Sequence, residues 1–304
     1  MEHIYDVVII GGGPAGYTSA LYCARAGFDT LIAEKFSSGG QMTQTSQIDN
    51  YPGFDEGVDG FTLGYKMQSS AERFGAKTLQ TEVLSVNLTD KIKIIQTSDG
   101  TIKSKAVIIA TGAEHKHLGI QNEQQLLGRG VGYCATCDGM FYKNKTVVVV
   151  GGGNSAAADA LYLSKICKKV ILVHRRNTLR ATKVYHEPLM NTKNVEFVLD
   201  SIVTEFIFDD VVKGINVKNI KTDKITQINC DGVFISIGRT PETHLFKGQI
   251  DTDEFGYIKA DETTKTNLQG VFAAGDVRSK PLRQIVTAVS DGATASMFAE
   301  EYLS

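Results

Sequence analysis

The chain has 304 residues, 42% of them hydrophobic and 22% charged, with a formal net charge of −2. That length favours two domains, and the near-neutral balance gives no electrostatic reason to expect nucleic acid or an anionic membrane as partner. Thirty glycines against five prolines point to many tight turns, as nucleotide-binding α/β folds require.

The opening MEHIYDVVIIGGG enters an apolar strand run within a few residues, with no charged segment and apolar core of a signal peptide before it. No apolar run nears the roughly 20 residues of a membrane span. A cytoplasmic setting is expected, where structural disulfides are uncommon. From Tyr5 the chain reads YDVVIIGGGPAGYTSALYCARAGFDTLIAEK: a β-branched run, a glycine cluster, a helical stretch and a second apolar run. This is the βαβ pattern of a dinucleotide-binding half. Its fingerprint is Gly11, Gly13 and Gly16, with Pro14 and Ala15 between the last two. One glycine makes the tight turn, one admits a pyrophosphate to the backbone, and the third lets helix and strand pack closely. Glu34 stands 23 residues after Gly11, where a carboxylate can accept from a ribose 2′-OH.

IIQTSDGTIKSKAVIIATGAEHK then reads as strand, Asp-Gly hairpin and strand, ending at the turn Thr111-Gly112. GYCATCDG follows, with Cys134 and Cys137 two residues apart and Asp138 directly after. Such a pair can be half of a zinc site, a structural staple or a redox couple. No second Cys-x-x-Cys and no His-x-x-x-His accompanies it, and Cys23, Cys167 and Cys230 are scattered. Redox chemistry leads, and no metal is expected. Cys23 and Cys167 read as small core residues, and His115 and His117 as solvated linker residues.

KTVVVVGGGNSAAADALYLSKICKKVILVHRR, from Lys145, repeats the opening pattern. Its fingerprint is Gly151, Gly153 and Ala156, enclosing Asn154 and Ser155. The offset that reaches Glu34 in the first copy falls on His174, followed by Arg175, Arg176 and Arg180. A carboxylate repels a 2′-phosphate, whereas guanidinium groups pair with one. The first site therefore suits a dinucleotide lacking that phosphate and the second suits NADP(H). VEFVLDSIVTEF, INVKNI and INCDGVFISIGRTPET repeat the strand-rich plan, and GVFAAGDV ends a small-residue strand at Gly275-Asp276. PLRQIVTAVSDGATASMFAEEYL reads as a closing helix. The tail returns to the first module, so the expected division is 1–114, 115–243 and 244–304, with the middle segment inserted and crossovers near Ala113–Leu118 and Arg239–His244. The fold class is α/β: two Rossmann-like domains, the second inserted into the first, each with a hairpin-rich addition.

GGGPAG, GGQM, IDNYPG, ATG, CATCDG, GGGNSA, HRRNTLR, IGRTP and AAGDVR together resemble the low-molecular-weight thioredoxin reductase family, over essentially the whole chain. The resemblance implies FAD in the first module, near Gly11, Gly13, Pro14, Ala15, Gly16, Glu34, Gly40, Gln41, Asn50, Thr111, Gly112, Gly275, Asp276, Arg283, Gln284 and Ile285. It implies NADPH in the second, facing Gly151, Gly153, Asn154, Ser155, Ala156, His174, Arg175, Arg176 and Arg180. Cys134 and Cys137 would be the redox dithiol and Asp138 its acid/base, with thioredoxin as transient protein substrate and a homodimer as assembly. Because dithiol and nicotinamide site share the inserted domain, that domain is expected to rotate on its linkers. Rival readings are a related reductase fed by ferredoxin, one serving another dithiol or a peroxiredoxin, and a nucleotide-linked redox sensor. The chain departs from the family pattern at HLGIQNEQ, which lacks a Pro-Gly, at Ile285, where a small residue is common, and at Asn154, where Asp is frequent.

Overall fold

The computed structural model describes residues 3–304 other than Ser37 and Ser46. β1 (Ile4–Ile10), α1 (Pro14–Arg25) and β2 (Thr30–Glu34) form the first βαβ unit. A 3₁₀ turn at Gly40–Gln44 and α2 (Gly60–Glu72) lead to β3 (Lys77–Gln80). The meander β4 (Val83–Asn87), β5 (Lys93–Thr97) and β6 (Gly100–Ile109) follows, and β7 (Ala113–His115) leaves the unit. Next come β8 (Val131–Gly132), α3 (Ala135–Asp138), β9 (Thr146–Val150), α4 (Asn154–Ser164), β10 (Lys169–Val173) and α5 (His186–Asn191). β11 (Val195–Val198), β12 (Ser201–Phe208), β13 (Val212–Asn219), β14 (Ile225–Asn229) and β15 (Gly232–Ile235) complete that run. β16 (Arg239–Pro241) pairs with β7, and β17 (Val271–Ala273) and α6 (Ile285–Leu303) end the chain. Two compact units result, one of Met1–Glu114 with Thr240–Ser304 and one of His115–Arg239. By this division the return crossover falls at 239/240, within the Arg239–His244 stretch where the sequence placed it and four residues before the expected boundary at 243/244.

In the first unit the sheet order is β3-β2-β1-β6-β5-β4, with β17 also on β6. β6 is long enough to pair with β5 through Gly100–Ser104 and with β17 through Val107–Ile109 on one side while holding β1 on the other. Alternate residues of β1 serve opposite cores: Val7 and Ile9 pack with α1 and α6, whereas Val8 and Ile10 pack with Leu88, Ile95 and Phe246. A strand buried on both faces must be apolar at every position, which explains the uninterrupted run VVII. α1 and α6 approach closely through small residues; a Cβ on Gly292 would collide with the Ala15 carbonyl.

The second unit repeats this logic with the parallel sheet β11-β10-β9-β15-β8. Val147 and Val149 face α4, and Val148 and Val150 face the three-stranded antiparallel sheet β12-β13-β14. Within VEFVLDSIVTEF the chain turns at Asp200, whose φ of 51° suits a short polar residue, and so forms the two strands β11 and β12. In both sheets the strand order reverses beside the glycine cluster, at β1 and at β9. The carboxyl edge at such a switch point is where α/β sheets bind ligands.

Candidate dinucleotide sites and redox centre

The two glycine loops divide their labour in the same way. The first glycine of each has a left-handed φ, 104° at Gly11 and 152° at Gly151. A Cβ on Gly16 would strike the Gly11 carbonyl oxygen, so α1 can pack on the loop only because that side chain is missing. At the middle position a Cβ on Gly13 or Gly153 would meet nothing within 4 Å. Those glycines also cap α1 and α4 without any side-chain hydrogen bond. Each loop therefore offers open space beside free helix N–H groups, the environment a pyrophosphate needs.

Around the first loop, Glu34 is buried at the end of β2. Its Oε2 accepts from Gly12 N–H at 2.5 Å and its Oε1 from Phe36 N–H at 2.8 Å. Lone pairs remain on both oxygens for a sugar hydroxyl. Gly39 N–H donates to the Gly12 carbonyl at 2.8 Å, and a Cβ on Gly40 would come within 3.2 Å of Gly13, so the GGQ segment lies against the loop. Gln41 Nε2 donates to the Ala113 carbonyl (2.6 Å), and Thr111 Oγ1 to the Glu242 carbonyl (2.6 Å). Asn50 Nδ2 donates to Gln284 Oε1 at 3.0 Å, joining two expected site residues far apart in sequence. Gln284 is the extended N-cap of α6 and forms a capping box with Thr287, which is why the helix starts at Ile285 and not at Pro281. Ile285 packs with Met42, Ile48 and Leu63, which gives its bulk an apolar seat. Arg283 is half-buried, its guanidinium 3.9 Å from the Tyr257 ring centroid and its Nε 3.4 Å from the Asp276 carbonyl. Gly275 and Asp276 form a 3₁₀ turn directly after β17.

Around the second loop, the His174 ring lies so close to Gly152 that a Cβ there would overlap it. Only 5% of His174 is exposed, and its Nε2 has no hydrogen-bond partner. Burial first, then Arg180, Arg175 and Arg176, lower its pKa and keep it neutral. Arg175, Arg176 and Arg180 are themselves exposed. Arg180 and Ala181 N–H groups both donate to the Gly152 carbonyl (2.6 and 3.0 Å). Thr182 N–H donates to Asn154 Oδ1 at 2.8 Å, so the amide at this unusual position ties the basic segment to α4. Three guanidinium groups, an unsatisfied buried imidazole nitrogen and open space at Gly153 fit a phosphorylated dinucleotide. The sequence reading missed Asp159 and Ser236, which bond at 2.5 Å on α4 and at the carboxyl end of β15. Only the sheet order brings that strand end beside Gly151.

Cys134 and Cys137 form a disulfide, so in this form neither sulfur is available to a metal. Cys134 caps the single turn of α3, and its Sγ accepts from Cys137 N–H at 3.2 Å. Asp138 ends that turn, half-buried, and burial pushes its pKa up to about 6. A carboxyl that exchanges protons near neutrality, one residue from a cysteine, is suited to serve the sulfur as acid and base. Burial instead pushes the thiols of Cys23, Cys167 and Cys230 up to about 12, 11 and 12, which leaves them unreactive.

His115 is not a solvated residue. It stacks on Tyr133 with ring centroids 4.7 Å apart, and burial with the nearby Arg239 charge lowers its pKa to about 3. Tyr133 donates to the buried Glu123 carboxylate at 2.6 Å, and His117 Nδ1 lies 2.6 Å from the same phenolic oxygen. The residue before Cys134 is thereby anchored to the start of the second unit. Among the described residues, no helix is long and apolar enough to cross a membrane.

Two dinucleotide-shaped loops and one cysteine pair define a class. The chain belongs to the pyridine nucleotide-disulphide oxidoreductase family, whose model matches residues 5–292. Within that family it falls among the thioredoxin reductases. The thioredoxin reductase of Streptomyces coelicolor is 44% identical, the match covering 100% of this chain and 95% of the relative. The crystal structure of the Streptococcus pyogenes thioredoxin reductase is 42% identical with a TM-score of 0.93, covering 99% of this chain and 98% of that one. The Lactococcus lactis thioredoxin reductase, described in its FR conformation, is 41% identical with a TM-score of 0.68, covering 98% and 99%.

Proposed function

We propose that the protein is an NADPH-dependent thioredoxin-disulfide reductase carrying FAD, with the first unit binding the flavin and the second binding NADPH and carrying the dithiol. The observation that carries this reading is the Cys134–Cys137 disulfide with Asp138 beside it, on the same unit as an arginine-flanked glycine loop. When bound, FAD and NADPH supply the electron pair that opens the disulfide. The chain's residues do the rest. Glu34 accepts from the ribose of the dinucleotide lacking a 2′-phosphate, and Arg175, Arg176 and Arg180 pair with the 2′-phosphate of the other. Asp138 gives a proton to the departing thiolate and takes one back when the dithiol is used. One cysteine thiolate then attacks a sulfur of the thioredoxin disulfide and forms a mixed disulfide. The second cysteine attacks that bond, which restores Cys134–Cys137 and releases reduced thioredoxin.

The intact second glycine loop and its arginines favour NADPH over ferredoxin as donor. The family resemblance supports a homodimer. The deciding experiment is the visible spectrum of the purified protein. Flavin bands bleached anaerobically by NADPH and restored by oxidised thioredoxin are expected. A colourless protein, or a flavin that thioredoxin cannot reoxidise, refutes the proposal.

A further inference from the structure

Asp291 stands within α6, and none of the chemistry above uses it. Only 7% of the residue is exposed. One of its carboxylate oxygens, Oδ2, accepts from three donors: Gly275 N–H at 2.9 Å, Arg278 Nε at 2.9 Å and Lys280 Nζ at 2.7 Å. The donors have second partners. Lys280 Nζ also reaches the Thr287 carbonyl at 3.2 Å, and Arg278 Nη1 reaches two backbone carbonyls of the 260–261 segment. Two buried cations thus share one buried anion, an arrangement that is costly unless its geometry is well held. A single cation would have balanced Asp291. The cluster instead ties the 275–280 stretch to α6 and to the 260–261 segment, and Asp276 lies in sequence between two of its anchors, Gly275 and Arg278. The turn also touches the first glycine loop, since a Cβ on Gly275 would come within 2.9 Å of the Ala15 Cβ.

We infer that Asp291 is a positioning residue for cofactor retention: its carboxylate holds the Gly275–Asp276 turn against the start of α1, in the place where that turn grips FAD. The inference rests on the FAD reading above. Removing the carboxylate loosens the turn, so the flavin is lost while the rest of the unit stays folded.

The test is FAD affinity, followed by flavin fluorescence on the purified holoprotein and on protein stripped and reloaded. D291N alone leaves two buried cations without an anion and risks misfolding. The double variant D291N/K280M removes one cation with the anion and keeps the net charge of the cluster. It is expected to raise the FAD dissociation constant at least tenfold, about 1.4 kcal/mol. K280M, which keeps the carboxylate on Gly275, is expected to change it less than threefold. Thermal melts of the flavin-free forms of both variants are expected to agree within a few degrees. An unchanged FAD affinity in the double variant overturns the inference, as does equal weakening in both variants that tracks their flavin-free melting. Wild-type protein that binds no FAD overturns both the inference and the reading beneath it, and is told apart by the missing flavin band.

Discussion

Asp138 is held in a state that favours chemistry over stability. Its carboxyl ionises near 3.8 in an unfolded chain and at about 6 in the fold, because burial opposes the charge. Between those values the folded state keeps a proton that the unfolded state has released, so stability falls as pH rises through that window. At neutral pH the buried charge costs up to about 3 kcal/mol, at about 1.36 kcal/mol per pK unit. Asp138→Asn is therefore expected to melt higher than wild type at neutral pH, with the gap closing as pH falls toward about 4. The same substitution should lower thioredoxin reduction by roughly 10²–10⁴-fold, the usual worth of a positioned acid/base, and leave flavin reduction by NADPH within about twofold. Wild-type turnover in this variant would show that the proton moves elsewhere. Arg175 and Arg176 act on the opposite half-reaction. Replacing both with Gln should weaken NADPH at least tenfold, since a charge-assisted hydrogen bond contributes about 1.5–3 kcal/mol, and weaken NADH less than threefold. Titration with both nucleotides measures this directly, and equal losses would mean that the cluster does not read the 2′-phosphate.

At the scale of elements, the glycine loops allow folding and binding to be separated by single methyl groups. Gly153 has φ −93° and ψ −175° with open space where a Cβ would stand, so alanine fits its backbone. Gly153→Ala should leave the melting temperature unchanged or slightly higher and weaken NADPH about tenfold or more, because the methyl fills the space meant for the pyrophosphate. Gly16→Ala should instead destabilise the first unit by several kcal/mol, because its Cβ meets the Gly11 carbonyl. Calorimetry with and without NADPH separates the two outcomes. These loops were legible in the sequence because strands buried on both faces read as unbroken apolar runs that end at glycine. The GVFAAGDV strand and the Asp-Gly hairpin were legible for the same local reason. Other features depend on contacts between distant segments. Tyr133 reads as an ordinary aromatic until Glu123 and the two linker histidines close around it. Asp291 reads as a surface acid on an alanine-rich helix until Arg278, Lys280 and Gly275 converge on it. Ser236 gains meaning only once β15 lies beside β9.

At the scale of the whole molecule, the arrangement of chemistry along the chain sets a requirement on motion. The dithiol and the arginine-flanked loop lie within His115–Arg239, whereas Glu34, Asn50, Asp276 and Gln284 lie in the other unit. On the reading proposed above, the first unit would hold the flavin, while the nucleotide site and the disulfide that must both reach it are carried by the second. The dithiol must afterwards meet a protein-sized partner, which excludes a fixed burial against the flavin. Two crossovers connect the units along the chain, one at Glu114–His115 and one at Arg239–Thr240. Such a pair can act as a hinge without disturbing either core, since each unit has its own apolar clusters. Covalently fixing the two units to each other should therefore stop multiple turnover and leave one half-reaction intact, either flavin reduction by NADPH or flavin oxidation by the disulfide. Stopped-flow absorbance of the cross-linked holoprotein, before and after cleavage of the link, reads both steps. Turnover at the uncross-linked rate would show that electrons pass between the units without rearrangement. Loss of both half-reactions, recovered on cleavage, would show that the link had closed the nucleotide site as well and that a tether at another pair of positions is needed to separate the steps.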